Sequence, residues 1–166
     1  AELKHYLRPE IQAFLSARVD KNDFTANMFS PRIALVANID EYNTIKVSWQ
    51  QSLRMNSMTD LYIEELEGNQ NDPEEIKAFE LSYHHIFNPQ LHTDLTFYTY
   101  DAEIIAWSGN KSELVGRQKS SGLEWELVYQ ANNVSFGMNH SYLKLNDWDF
   151  VAKEDDGSKT QKISLS

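Results

Sequence analysis

The sequence predicts an all-β fold: an antiparallel up-and-down meander of about eight long strands. Apolar and polar residues alternate along most of the chain, and a period of two is typical of strands that bury one face. Short connections alternate with long ones, as in bacterial barrels that cross a membrane. The longest expected strands also exceed the roughly 10 residues that strands of soluble proteins rarely pass, since Leu91–Trp107, Leu114–Gln130 and Val134–Phe150 are each about 17 residues long.

The strands follow one another from a first strand near Tyr6 to the end of the regular pattern. The clearest alternation lies in Ile11–Asp20, Asn43–Gln51, Glu75–Phe87, Leu91–Tyr100, Gly122–Gln130 and Val134–His140. Successive side chains of a strand point to opposite faces, so Ile45, Val47 and Trp49 share one face of their strand. Large aromatic residues fall on these apolar faces: Phe79, Tyr83, Phe97, Trp125, Tyr129 and Phe136. They are candidates for interfacial girdles, although aromatic residues favour strands in any case.

The connections fall into two classes. The short ones, Arg8–Glu10, Ile39–Tyr42, Asn88–Gln90 and Ala131–Asn133, carry the Pro, Asn and Asp residues that make tight turns. The long, polar ones are expected at Lys21–Phe29, Leu53–Pro73, Ser108–Ser112 and from Val151 to the end. This alternation favours tight turns at one end of the sheet and longer loops at the other.

Composition excludes several classes of protein. The net charge of −10 would repel a nucleic acid, and no basic stripe offsets it. The chain has no cysteine, so disulfides, thiolate catalysis and cysteine-ligated metals are ruled out. The longest apolar runs, Ile33–Ala37 and Ile104–Trp107, fall far short of the roughly 18 residues that a membrane-spanning helix needs.

Histidines and carboxylates are the other candidate functional groups. His84 and His85 are adjacent and point to opposite faces, so they cannot chelate together. His84 and Asp94 are expected nearly opposite each other across the Asn88–Gln90 turn, as a polar contact or ion pair. Glu124 and Glu126 share a face and are expected to form part of a polar wall. No catalytic or phosphate-binding motif is present, so no catalytic, cofactor-binding or metal residue is assigned and no cofactor is expected.

Several segments, in this order, resemble strands of TonB-dependent outer-membrane receptors. Phe29-Ser30-Pro31-Arg32-Ile33-Ala34-Leu35-Val36 is similar to the family's "SPR-apolar" strand. Further similar segments are Asn43–Trp49, Ser52–Arg54, Thr59–Tyr62, Pro73–Tyr83, Leu95–Ile105, Ser121–Leu127 and Asn139–Leu143. Two positions depart from the family pattern: Met55-Asn56-Ser57 follows Arg54 without the usual proline, and Ser82 replaces the glycine of "ELGY".

The resemblance implies that residues 1–166 are part of the β-barrel domain of a larger receptor of about 22 strands. The plug domain, the early strands and the terminal strand would then lie outside this stretch. Such a receptor imports a scarce nutrient, most often a ferric siderophore, across the outer membrane of a Gram-negative bacterium. TonB supplies the energy through the plug, and lipid surrounds the barrel. Ligand capture is implied for external loops, where Tyr62, Trp107 and Trp148 are the candidate binding residues.

Two other interpretations fit the pattern. Eight strands also suit a complete small barrel that binds an apolar ligand, either lipocalin-like or a small outer-membrane barrel. In a lipocalin-like barrel the apolar face points inward, whereas in a membrane barrel it points outward, and alternation alone does not distinguish the two. A soluble enzyme on a β-scaffold is the third interpretation, although no catalytic site is visible. Pairing of the first strand with the last would indicate a complete barrel.

Overall fold

A computed structural model describes residues 1–21, 27–54, 73–108, 111–153 and 160–165. The side chains are described over the same ranges except 105–108, 111–115, 150–153 and 160–165. The strands are β1 (Glu2–Arg8), β2 (Ile11–Asp20), β3 (Met28–Asn38), β4 (Asn43–Arg54), β5 (Glu74–Asn88), β6 (Leu91–Ser108), β7 (Lys111–Ala131), β8 (Val134–Lys153) and β9 (Thr160–Leu165). Over the described residues, no helix is long and apolar enough to cross a membrane.

All nine strands form one sheet whose spatial order is the order in the chain. Each strand pairs antiparallel with the next, which confirms the predicted meander. The sheet is open, because β1 and β9 lie at its two edges and do not pair with each other. A complete small barrel, the alternative from sequence, requires that closure and is therefore not supported.

Two connections differ from the expectation. The segment from Val151 onward was expected to be a loop, but β8 continues to Lys153 and Thr160–Leu165 forms β9. Ser108–Ser112 was also expected to be a long loop, yet β6 and β7 remain paired up to Ser108 and Lys111. Polar composition suggested loops at both places. A hairpin arm that packs on no core is equally polar, so composition could not separate the two cases.

The register divides the side chains between two faces, which we call the apolar face and the polar face. Paired residues of neighbouring strands lie on the same face. On the apolar face, for example, Ile45 lies opposite Tyr83, which lies opposite Leu95, which in turn lies opposite Trp125. The predicted aromatic residues Phe79, Tyr83, Phe97, Trp125, Tyr129 and Phe136 all lie on this face. The sequence-predicted alternation is thus continuous across the sheet.

Burial differs between the faces. Among the described side chains, the buried ones all belong to the polar face: Met28, Ala34, Ser48, Glu74, Ala78 and Ser120. Large residues of the apolar face stay open, with Trp49 37% and Leu95 39% exposed. Side chains converge on the concave side of a curved sheet and spread apart on the convex side. The difference therefore indicates a concave polar face and a convex apolar face.

The short turns lie together at one end of the sheet. In the β3–β4 turn, Asp40 accepts hydrogen bonds from the Tyr42 backbone N–H at 2.8 Å and the Asn43 side chain at 2.7 and 2.8 Å. In the β7–β8 turn, Asn132 has φ of 45°, a left-handed conformation that asparagine tolerates well. These turns fix the registers that bring the side chains of each face together.

Candidate functional site

The polar face is the candidate functional site, and cross-strand pairs organise its centre. Lys46 on β4 donates to Glu80 on β5, with Nζ and Oε1 2.7 Å apart. His84 Nδ1 lies 2.8 Å from Asp94 Oδ1, on residues that are direct partners across β5 and β6. This contact confirms the pair predicted from sequence. Because both contacts are partly exposed, they add little stability and chiefly fix side-chain positions.

Charge is unevenly distributed over the polar face. Strands β1–β4 carry mostly cations there: Lys4, Arg18, Arg32, Lys46 and Arg54, against the carboxylates Glu2 and Asp20. Strands β5–β8 carry carboxylates: Glu74, Glu80, Asp94, Glu124 and Glu126. Among the side chains described on this face of β5–β8, none is a lysine or an arginine. The face therefore has a basic half and an acidic half.

Ion pairs join the two halves where β4 meets β5. Arg54 Nη2 lies 2.6 Å from Glu74 Oε2, in addition to the Lys46–Glu80 pair. Further from this seam, Arg18 pairs with Asp20 of its own strand at 2.7 Å. Within the part of the chain that the structure describes, the charges outside these ion pairs and the His84–Asp94 contact are Lys4, Arg32 and Glu2 on the basic half, and Glu124 and Glu126 on the acidic half.

The acidic half contains a shallow depression of about 370 Å³. Its polar lining comes from β6, β7 and β8: Asp94, Thr96, Glu124, Glu126, Asn139 and Ser141. The Tyr98 ring lies over Gly122, where an added Cβ would overlap it. Sequence analysis foresaw that Glu124 and Glu126 share a face, but not that Asp94 joins them.

The basic half contains a smaller depression of about 260 Å³ around Phe14. Arg32 and Lys46 line it together with Ser16 and the carboxylate of Glu2, so the cations outnumber the anion there. The Lys4 ammonium lies 5.4 Å from the centre of the Phe14 ring, within the range of a cation–π contact. This half thus combines an aromatic surface with positive charge.

The polar face has the chemistry of a binding surface. Among the residues that the structure describes, no group of three or more His, Asp or Glu residues is placed to hold a metal ion. The rings of His84 and His92 approach to 5.4 Å, but His85 lies on the opposite face and contacts Asn43. Charge, hydrogen bonds and shape are the means by which this face can bind.

The three aromatic candidates from sequence do not come together. Tyr62 lies outside the described residues, and so does the side chain of Trp107. The structure corrects the loop assignment of two of them, because Trp107 lies in β6 and Trp148 in β8. Both lie toward the ends of long strands whose extent agrees closely with the expected Leu91–Trp107 and Val134–Phe150. Trp148 lies opposite Gln118 on the polar face and is 36% exposed. A role in ligand binding stays a prediction for all three.

Polar groups border the apolar face at both ends. Toward the short turns, Tyr83 donates its hydroxyl to Asn43 at 2.5 Å, and Trp125 donates its indole N–H to Thr93 at 2.9 Å. Toward the long loops, Arg117 donates two hydrogen bonds to Asp101, at 2.5 and 2.6 Å. An apolar band bounded in this way matches the outer surface of a transmembrane barrel.

An open antiparallel meander with a convex apolar band and a concave polar face defines a class, the wall of a large membrane barrel. Residues 9–164 match the family described as TonB dependent receptor-like, beta-barrel. The chain belongs to this family of TonB-dependent receptor β-barrels, which are outer-membrane transport receptors and not an enzyme class.

Comparison with solved structures gives the same fold. The chain is similar to one from a structure entitled "Structure of the FpvAI-pyocin S2 complex", with a TM-score of 0.62 at 12% sequence identity. The match covers 97% of this chain and 27% of that chain. This chain therefore spans about a quarter of the length of the protein it matches. Among curated proteins, no sequence relative was found.

Proposed function

We propose that this chain forms part of the barrel wall of a receptor that imports a scarce nutrient, with a ferric siderophore as the first candidate. TonB supplies the energy through a plug domain that fills the lumen. The membrane is the outer membrane of a Gram-negative bacterium, and lipid covers the apolar face.

The single observation that supports this proposal best is the division of the sheet into two faces. A soluble barrel turns its apolar side chains inward, where they form a core or hold an apolar ligand. Here the apolar side chains are convex and exposed, as Phe79 and Leu81 illustrate at 37% and 40% exposure. The polar face is concave and can face a water-filled or plugged lumen.

Uptake by the complete receptor tests the proposal. A strain that lacks the gene is grown under iron limitation and offered ferric siderophores labelled with radioactive iron, one at a time. We expect uptake of at least one siderophore to fall to background and to return when the gene is restored. Deletion of TonB should abolish the same uptake.

Each part of the proposal can fail separately. Unchanged uptake of every siderophore in the deletion strain would overturn the siderophore assignment. Screening of other nutrients, such as vitamins and sugars, would then identify the cargo. Uptake that persists without TonB would overturn the energy source. A protein that fractionates with the cytoplasm would overturn the proposal as a whole.

A further inference from the structure

We propose that the polar face receives a folded polypeptide surface of reversed polarity, acidic toward β1–β4 and basic toward β6–β8. This inference rests on the proposed function, in which a plug domain fills the lumen. It adds that charge sets how the plug is oriented against this wall. Glu124 and Glu126 on one side, and Lys4 and Arg32 on the other, are the residues that set it.

Among the described residues, several exposed charges of the polar face lie outside its internal ion pairs. At the seam between the halves, Lys46 forms an ion pair with Glu80, and Arg54 forms one with Glu74. Glu124 and Glu126 are exposed on the acidic half, where the described side chains of the polar face offer no lysine or arginine. Lys4 and Arg32 are exposed on the basic half, where they outnumber the exposed carboxylate of Glu2. Charges of this kind favour a partner that supplies the opposite sign.

The polar face is wide compared with a small ligand. Neighbouring strands lie about 4.8 Å apart, so a nine-stranded sheet is roughly 38 Å wide before curvature. The two charged depressions lie on different groups of strands, one lined by β1–β4 and the other by β6–β8. A small ligand in either depression cannot reach the other. A single partner that contacts both depressions at once must therefore be as wide as a folded polypeptide surface.

The opposite charges of the two halves give the polar face a direction across the strands. A uniformly acidic wall would accept a basic partner in many rotations about the barrel axis. A wall with opposite signs on its two halves penalises the rotation that brings like charges together. The attraction acts over roughly 8–10 Å at physiological ionic strength, so close contact and low salt strengthen it.

Conductance of the complete receptor in planar lipid bilayers tests the inference. A seated plug blocks ion flow, and urea that displaces it opens the pore. We expect Glu124→Lys combined with Glu126→Lys to raise the conductance at a fixed, intermediate urea concentration at least tenfold. Lys4→Glu combined with Arg32→Glu should act in the same direction. Raising the salt concentration should shrink the difference from wild type.

The control places the same charge change on the opposite face of the sheet, in the neighbouring strands and toward the long loops. Glu103→Lys combined with Asp147→Lys alters two carboxylates whose register places them on the opposite face. Its conductance should follow that of the wild type. Since lysine substitutions can impair folding, Glu124→Gln combined with Glu126→Gln provides a milder pair. Heat-resistant migration on gels confirms that each barrel is folded.

The outcomes separate the two proposals. A wild-type receptor that conducts freely without urea has no seated plug, and this contradicts the proposed function itself. A wild-type receptor that is closed, with wall variants that open no more easily than the control, overturns the charge inference alone. If only one half of the wall responds, the reversed polarity is wrong.

Discussion

The ring of Tyr98 lies across the polar face of β7 and covers Gly122. The two residues are direct partners between β6 and β7. Gly122 is buried beneath the ring. The small residue thus allows an aromatic side chain to lie flat on the sheet.

Substitution of Gly122 tests this arrangement. Gly122→Val should destabilise the receptor by about 1–3 kcal/mol, because the new side chain overlaps the Tyr98 ring and forces it away. Urea unfolding in detergent measures the change. Gly137→Val is the control, since it lies on the polar face of β8 with nothing within 4 Å of an added Cβ. Equal effects at both glycines would contradict the explanation.

Asp40 makes a pH-dependent contribution in the β3–β4 turn. Hydrogen bonds from the Tyr42 backbone and the Asn43 side chain hold the pKa of Asp40 below its ordinary value of 3.8. A carboxyl with a lowered pKa stabilises the fold above its unfolded pKa, and this contribution is lost as the pH falls through the folded pKa. We expect Asp40→Asn to lower the urea midpoint at neutral pH.

That difference should fade as the pH falls below 3.8, where the wild-type carboxyl takes up its proton. Urea midpoints of both proteins across a pH series measure it. Glu41→Gln, next to Asp40 in the same turn, controls for a general loss of charge. A difference between wild type and Asp40→Asn that is the same at pH 3 and pH 7 would argue against this role.

Some residue contacts were predictable and others were not, depending on how much chain separates the partners. The His84–Asp94 pair follows from a tight turn, because the turn fixes the register between β5 and β6. The Lys46–Glu80 pair depends on the register of β4 and β5, which the long connection between them does not reveal. The cover of Gly122 by Tyr98 was hidden for another reason, because Ser108–Ser112 was expected to be a loop and a register shift at Ile104/Ile105 lies between that connection and the pair. Alternation assigns the face of a residue but not its neighbour.

Strands β5–β8 change character along their length. Near the short turns their apolar face carries Leu81, Leu95 and Trp125, whereas beyond Thr99 it carries charged pairs such as Lys77–Glu75 and Arg117–Asp101. A charged side chain is costly in lipid and cheap in water. The apolar stretch between the short turns and Thr99 is therefore the part that lipid covers, and the rest of each strand projects beyond it.

Arginine substitution of adjacent residues tests which face meets lipid. Leu95→Arg should cost about 2–4 kcal/mol, because it places a cation in the middle of the apolar band. Thr96→Arg, the next residue on the polar face, should change the unfolding free energy by about 0.5 kcal/mol or less. Unfolding from lipid vesicles in denaturant measures both. A larger loss for Thr96→Arg would reverse the assignment of the faces.

For the whole molecule, sequence predicted the all-β meander, and the structure and comparisons confirm it. It predicted the membership of the family, because the order of the motifs along the chain is specific even though each motif alone is weak. It left the direction of the apolar face open, since alternation is identical in both directions. It also missed the ninth strand and the two-sided charge of the polar face, because both depend on strand pairing and not on local composition.

The whole sheet exposes more apolar surface than a water-soluble protein tolerates. We expect residues 1–166, expressed alone without lipid or detergent, to be insoluble. Exposed strand edges and the uncovered apolar face both promote aggregation. Size-exclusion chromatography after cell lysis, with and without detergent, measures the outcome. A monodisperse product in plain buffer would contradict the lipid-facing role of the apolar face.

The strict two-residue period limits how this chain can change over evolutionary time. Deleting one residue within a strand would turn each side chain beyond it to the other face, so carboxylates such as Glu124 would enter lipid. Among the described strands, register shifts lie beside the short turns at Tyr6/Arg8 and Ile86/Asn88, and beyond the apolar band toward the long loops at Ile104/Ile105 and Lys119/Ser120. Insertions and deletions should therefore be confined to the turns, the loops and the projecting strand ends. Variation within the band should proceed by substitution alone.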